Sequence, residues 1–284
     1  MAFDKKYDTD IPLGKESSYQ FEYDASILFP IARKAGRDAI GLNDSSLPFQ
    51  GFDRWTAFEL SWLDAKGKPC VAIAEFDFDA KAPHIIESKS FKLYLNSFNQ
   101  TQISTKSELR QLLSDDLSKA SGAKVTVRLF AVNDYPRADC ADLSDDQAIY
   151  LDSLDVACDI YQTDVSLLKA EPSRSAKQSY QFDAFRSLCP VTSQPDWASV
   201  FINIDSQASD LPVASSLLRY LVSYRNHQGF HEQCVEQIFT DLHRLLPGAK
   251  ITVYARFLRR GGLDINPIRS NSSLSSNMAV LARQ

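Results

Sequence analysis

Gly122-Ala-Lys-Val-Thr-Val127 and Gly248-Ala-Lys-Ile-Thr-Val253 stand 126 residues apart. At the same spacing, Ser90, Tyr94, Leu95 and Ser97 align with Ser216, Tyr220, Leu221 and Ser223, and Phe98 aligns with Tyr224. No gap interrupts the alignment. Two matches at one offset, in the same order, indicate a duplicated unit.

Each copy reads as strands, then a helix, then a strand. In the second copy Val200, Ile202 and Ile204 alternate as a strand does. Leu217 to Val222 is apolar and of undetermined type. Cys234, Val235, Ile238, Phe239, Leu242, Leu245 and Leu246 then form one helical face from about Phe230 to Leu246, stopped by Pro247-Gly248. Ile251, Val253, Ala255 and Phe257 alternate as another strand. In the first copy Phe58, Leu60 and Trp62 alternate, Ala65-Lys66-Gly67 turns the chain, and Cys70 to Phe78 returns as a hairpin. The alternation changes phase between Ile73 and Phe76, which predicts a bulge there. Leu109, Leu112, Leu113 and Leu117 mark a helix ending near Gly122, and Val125, Val127 and Leu129 a strand. This order predicts an α+β fold with antiparallel sheet covered on one face. Residues 131–185 read as an acidic, Ser-rich connection adding edge strands such as Ile149–Leu151. Pro172–Gln178 is linker-like, and Ser270–Met278 is expected to be loosely ordered. The boundary falls near residue 165, giving modules 1–165 and 166–284.

The composition narrows the function. Among 284 residues, 44% are hydrophobic, enough for a core. Lys plus Arg number 31 and Asp plus Glu 36, a net charge of −5. That balance argues against a nucleic-acid binder, which carries a basic face. No apolar run reaches membrane-spanning length. The start, Met1-Ala-Phe-Asp-Lys-Lys-Tyr-Asp8, lacks the apolar core of a secretory signal, so the cytoplasm is the expected compartment. The five cysteines at 70, 140, 158, 189 and 234 include no C-x-x-C pair. The four histidines form no H-E-x-x-H, so no metal centre is expected. None of the ten glycines builds G-x-G-x-x-G or a phosphate-binding P-loop. A nucleotide cofactor would have to be held by side chains or an irregular loop.

The copies differ where chemistry can sit. The first carries Ile86-Glu87-Ser88-Lys89-Ser90-Phe91-Lys92; opposite Glu87 to Ser90 the second has Val213-Ala214-Ser215-Ser216, with no acid. The second instead carries Cys189-Pro-Val-Thr-Ser-Gln-Pro-Asp196-Trp197, Phe230-His231-Glu232 and Arg259-Arg260-Gly261-Gly262. Cys189 reads either as a buried thiol or as a nucleophile. Asp196 is either a turn residue or an acid–base group brought back beside the thiol. Glu232 is a helix-start acid or, with His231, a binder of a polar heterocycle. Glu87 is a charge before a helix or an acceptor for the paired N–H donors of a guanine-type edge. Lys89, Arg259 and Arg260 are surface charges or phosphate contacts.

Together these segments resemble the NADPH-dependent 7-cyano-7-deazaguanine reductases, in their long, two-module form, from about Leu47 to Asn271. In the short members the Cys and the E-S-x-S motif occupy one module; here they are split between halves. The resemblance implies two tandem tunnelling-fold (T-fold) modules, NADPH as cofactor and a homodimer. It implies reduction of a nitrile to a primary amine in queuosine biosynthesis. Cys189 would add to the nitrile carbon to give a thioimide, with Asp196 as proton donor. Two hydrides would then carry the carbon through a thiohemiaminal and an imine to the aminomethyl product. Ile86, Glu87, Ser88, His231 and Glu232 would hold the deazaguanine, and His231 could also donate a proton. Ser88, Lys89, Arg260 and Gly261 would contact NADPH. Since Glu87 and Cys189 come from different halves, the site is expected at a junction between modules. The same fold family also includes non-redox pterin and purine enzymes, and a purine-binding module without catalysis is a further alternative.

Overall fold

A computed structural model describes residues 22–135, 148–173, 175–206, 210–274 and 281. Cys140 and residues 275–278 of the stretch expected to be loose lie outside the described residues. The fold is α+β, with antiparallel ladders and one parallel pair. The chain divides into two compact units, one taking residues 1–46, 54–135 and 260–264, the other 47–53, 136–259 and 265–284.

The first unit runs through β1 (Pro30–Ala32), α1 (Lys34–Ala39), β2 (Gln50–Leu63, from Arg54 onward), β3 (Pro69–Asp79), β4 (His84–Ile86), α2 (Ser88–Asn96), α3 (Lys106–Ser121) and β5 (Val125–Phe130). Its sheet has the order β5-β3-β2, and β1 pairs antiparallel with β4. Ala72, Ala74, Phe76 and Phe78 alternate along β3 and are buried, as are Leu109, Leu113 and Leu117 of α3. Phe91 of α2 meets Trp55, Phe76 and Phe78 with ring centroids 5.0, 5.1 and 6.1 Å away. The helix ends follow from sequence. Thr105 Oγ1 accepts the Glu108 N–H at 3.1 Å, and Gly122 ends α3 at φ 78°.

The bulge expected between Ile73 and Phe76 is not seen in the ladder with β5, which keeps register from Ile73 to Phe78. The phase change arises because Ile73 is also buried, on the face opposite Ala72 and Ala74. The register shift lies instead in the second unit, between Phe182 and Phe185. There the Asp152 carboxylate accepts the N–H groups of Asp183 and Ala184 at 2.8 and 2.9 Å.

The second unit contains β6 (Ile149–Tyr150), β7 (Ala170–Pro172), β8 (Lys177–Leu188), β9 (Pro195–Asp205), β10 (Asp210–Pro212), α4 (Ala214–Val222), α5 (His231–Leu245), β11 (Lys250–Phe257) and β12 (Leu263–Ser270), the last from Ile265 onward. Its strand order is β12-β11-β9-β8-β6, and β10 pairs with β7. The ambiguous run Leu217–Val222 is therefore helical. The linker-like stretch after Pro172 leads directly into β8. Ser270 is buried in β12, with Oγ 2.7 Å from Thr252 Oγ1, so loose order does not begin there.

The duplication is structural. Ser90 and Ser216 each send Oγ to the carbonyl three residues back, Glu87 at 2.7 Å and Val213 at 2.8 Å. Ser97 and Ser223 do the same to Tyr94 and Tyr220, both at 2.6 Å. The Tyr94 hydroxyl donates to Asp116 and the Tyr220 hydroxyl to Asp241. Asp116 and Asp241 are 125 residues apart, so the middle helices carry a one-residue deletion that a gapless alignment overlooks. The repeat also reaches further upstream. Asp24-Ala-Ser-Ile-Leu28 and Asp164-Val-Ser-Leu-Leu168 each form an aspartate-capped 3₁₀ turn. Asp24 N and Asp164 N both donate to the repeated serines, Ser97 and Ser223, at 3.3 Å.

Candidate functional site

In the second unit, the β8–β9 hairpin carries Cys189 and Asp196. Ser187 pairs with Asp196 and Leu188 with Pro195, so Cys189 follows immediately after the last pair. Cys189 lies two residues beyond Ser187, which directs it to the face shared by Ser187 and Asp196. The loop between them is closed by its own backbone: Cys189 N donates to Gln194 O at 2.8 Å and Ser193 N to Cys189 O at 3.0 Å. Ser193 adopts φ 57°, and Gln228 Nε2 donates to its hydroxyl at 2.8 Å. Leu188 N donates to His227 O at 2.8 Å, and Gly229 N to Leu188 O at 3.2 Å, pinning the thiol's strand to the start of α5. Cys189 is 9% exposed and Asp196 7%. Asp196 is held in β9, and Cys189 just past the end of β8 by the hydrogen bonds of the hairpin loop.

The start of α5 brings His231 to Asp196. His231 Nε2 stands 3.4 Å from Asp196 Oδ1, and its Nδ1 faces the Ile265 carbonyl, also at 3.4 Å. The imidazole lies flat on Phe257, with centroids 3.7 Å apart and planes 4° from parallel. Both ring nitrogens face acceptors. A neutral imidazole has one N–H and serves one of them; an imidazolium serves both. Asp196 Oδ1 and His231 Nε2 thus face each other within hydrogen-bonding reach. Glu232, in the first turn of the helix, is 3% exposed. Cys234 is fully buried; burial pushes its thiol up to about 12, and the charges of Asp196 and Glu232 add to the effect. It is therefore a neutral thiol at physiological pH.

In the first unit, β4 and α2 carry the other set. Ile86 pairs with Pro30, and Glu87 N donates to Phe29 O at 2.9 Å. Glu87 is the N-cap of α2: Oε1 accepts Lys89 N at 2.8 Å and Oε2 accepts Ser90 N at 2.7 Å. The capping role is thus real, yet each carboxylate oxygen has further acceptor capacity. Glu87 is 1% exposed, and burial pushes its carboxyl above the ordinary value, opposed by these hydrogen bonds. Ser88 and Lys89 open the same helix, half-buried. Arg260 and Gly261 are exposed in a tight turn closed by Arg260 N to Leu263 O at 2.8 Å and Leu263 N to Arg260 O at 3.1 Å. A Cβ built at Gly261 would meet nothing within 4 Å. Open backbone beside Arg260 suits a phosphate-bearing cofactor, as do Ser88 and Lys89 at a helix start. Among the described residues no group of three or more His, Cys, Asp or Glu side chains is arranged to hold a metal ion.

Cys189, Asp196, His231 and Glu232 therefore belong to the second unit, and Ile86, Glu87, Ser88, Lys89, Arg260 and Gly261 to the first. Sequence reasoning missed Phe257 and the Ile265 carbonyl, which fix the imidazole; nothing separates that phenylalanine from its core neighbours in the strand pattern. Cys234, placed by the sequence pattern on the apolar face of the helix, stands three residues after His231 on the same helix.

Comparison with known proteins places these features in a family. Residues 19–129 match the model of the nitrile reductase, 7-cyano-7-deazaguanine-reductase N-terminal family, and residues 195–276 that of the QueF-like proteins. The chain is 51% identical over 262 residues to the NADPH-dependent 7-cyano-7-deazaguanine reductase of Cupriavidus metallidurans, covering 92% of both chains. It is 49% identical over 276 residues to that of Paraburkholderia xenovorans, covering 96% of this chain and 98% of the relative. It is 50% identical over 262 residues to that of Burkholderia multivorans, covering 92% and 93%. With Cys189, Asp196, His231 and Glu87 held as described, the chain belongs to the NADPH-dependent 7-cyano-7-deazaguanine reductase family.

Proposed function

We propose that this protein reduces the nitrile of 7-cyano-7-deazaguanine to the aminomethyl group with NADPH, a step of queuosine biosynthesis. The observation that carries the chemistry is the Asp196–His231 pair beside the hairpin that presents Cys189. The Cys189 sulfur adds to the nitrile carbon, and the nitrile nitrogen takes up a proton from Asp196, leaving a thioimide. A nitrile accepts hydride poorly; a protonated thioimide accepts it well. NADPH supplies hydride to that carbon, once at each of two reductions. Asp196 and His231 return protons to the nitrogen, and the sulfur leaves between the reductions as the imine forms. Phe257 keeps the imidazole in plane while the proton moves.

Glu87 accepts the paired N–H donors of the guanine-type ring, with Ile86 and Ser88 beside it. His231 and Glu232 also bind the heterocycle. Ser88, Lys89, Arg260 and Gly261 hold the cofactor. The reading includes two tandem tunnelling-fold modules, 1–165 and 166–284, a homodimer and a cytoplasmic location. Repeated capping turns and repeated Tyr–Asp bonds support the two modules. Exposed edge backbone on β5 favours association. No helix among the described residues is long and apolar enough to cross a membrane. No direct nucleic-acid partner is part of the reading.

The test is NADPH oxidation in the presence of 7-cyano-7-deazaguanine. Two NADPH are consumed per nitrile by the wild type. Cys189→Ala consumes none and forms no covalent adduct by mass spectrometry while keeping its fold. Wild-type turnover in Cys189→Ala removes the nucleophile from the reading; tight ligand binding without oxidation leaves the pocket and removes the redox reaction.

A further inference from the structure

Lys92 stands on α2 three residues after Lys89, on the same helix face. Its ammonium pairs with Glu59 Oε1 of β2. The adjacent residue, Phe58, donates its N–H to Gly262 O at 3.0 Å, so this point of β2 is tied to the Arg260–Leu263 turn. Glu59 also lies along that turn. A Cβ built on Gly262 would fall 2.7 Å from Glu59 Cδ and 3.0 Å from its Oε1, and Gly262 adopts φ 79°. Glu59 therefore meets Lys92, one turn along α2 from the helix start assigned to the cofactor, and lies against the glycine turn after Arg260. Its side chain is 61% exposed, against 23% for Lys92. An exposed carboxylate thus sits on Lys92 and against Gly262, beside the segments where an anionic ligand is proposed to bind. Partial burial pulls the Lys92 ammonium below its ordinary value, so the lysine gains from any anion placed against it.

We propose that Glu59 is a positioning residue that sets the affinity for the phosphorylated cofactor: in the free protein its carboxylate occupies Lys92, and a phosphate of NADPH takes its place. This inference rests on the cofactor reading above. The carboxylate carries one negative charge and is tethered to a strand; a phosphate monoester carries nearly two and offers three acceptor oxygens. The phosphate wins, yet it must first displace an existing ion pair. Glu59 swings toward solvent, where most of its side chain already lies, and Lys92 turns to the ligand. Glu59 acts through Lys92 and touches no reacting atom.

Steady-state kinetics on the intact protein test this. Glu59→Gln removes the competitor and lowers KM for NADPH about two- to fivefold at low salt, the size of one exposed ion pair. Catalytic efficiency rises by the same factor. Lys92→Gln raises KM, and the double variant Glu59→Gln/Lys92→Gln matches Lys92→Gln alone, since Glu59 then has nothing to act through. Glu59→Asp, which keeps the charge, stays with the wild type. Arg260→Gln is measured beside them. If it raises KM while Glu59→Gln leaves KM unchanged or raises it, the cofactor site stands and the role of Glu59 is overturned. If Arg260→Gln does not move KM, the cofactor site itself is misplaced, and the inference falls with it. A lower KM in Glu59→Gln that persists in the double variant also overturns it, because Glu59 would then act without Lys92.

Discussion

Asp196 faces two demands that its position meets together. In the proposed reaction it must be near the thiol, and it must exchange protons. Hairpin register gives the first: Asp196 sits opposite Ser187, two residues before Cys189. His231 at 3.4 Å gives the second. Asp196→Asn keeps size and a hydrogen-bonding atom but loses the proton. It should retain nitrile binding while turnover falls about 10²–10⁴-fold; calorimetry for binding and NADPH oxidation for rate check both halves. Glu87 gives a pH signature. Burial holds its carboxyl above the ordinary value, so the folded chain keeps a proton there that the unfolded chain has already lost. Its contribution to stability therefore falls as pH rises from the ordinary carboxylate value through the raised one. Glu87→Gln removes that loss and still offers one amide oxygen to the helix N–H groups. The difference in urea midpoint between wild type and Glu87→Gln should shift in favour of the variant as pH rises from about 4 toward neutrality. A pH-independent difference would show that the carboxyl titrates normally.

At the scale of elements, the legible features were those with local causes. The α3 helix ends where Gly122 takes φ 78°, and α5 ends where Pro247-Gly248 stops it. Gly122 is also required by space: a Cβ there would lie 2.6 Å from Pro83 Cγ. Gly122→Ala should therefore cost more than the roughly 1 kcal/mol of an unfavourable left-handed residue, read as a lowered thermal midpoint with the fold retained. The Leu217–Val222 stretch was not legible, because a short apolar run fits a buried strand as well as a helix. Burial of Leu217, Leu218, Tyr220 and Leu221 together is what makes it a helix in place. The misplaced bulge has a similar cause. Two-sided burial at Ile73 imitates a phase change, and the true register shift, near Phe182, leaves no mark that separates it from ordinary alternation.

At the scale of each whole unit, ionic contacts invisible in sequence carry weight. In the second unit Arg269 is fully buried, with Nη1 2.7 Å from Asp53 Oδ1 and Nη2 2.9 Å from Glu236 Oε1. The three residues are more than 30 positions apart in sequence, in three different elements. Arg269→Met removes one charge and strands two buried carboxylates. Breaking a buried pair in this way costs about 3–5 kcal/mol, measured as the loss in urea unfolding free energy. In the first unit Arg54 holds Asp77 at 2.7 and 2.8 Å, and Arg128 holds Glu75 and Asp77 at 2.9 and 2.7 Å, across three neighbouring strands.

What sequence alone determined was whatever is encoded within a few residues or repeated along the chain. The α+β class, the duplication, the helix stops and the segments that carry the proposed site residues Cys189, Asp196, Glu87 and His231 all have that character. Periodicity and capping are local, and a repeat compares the chain with itself. Tertiary structure decided the pairings between distant residues: the Asp196–His231 pair on Phe257, Glu59 between Lys92 and the glycine turn, and Arg269 between two acids. Those contacts depend on how strands register and helices pack. Many sequences with the same pattern would satisfy the pattern without making them.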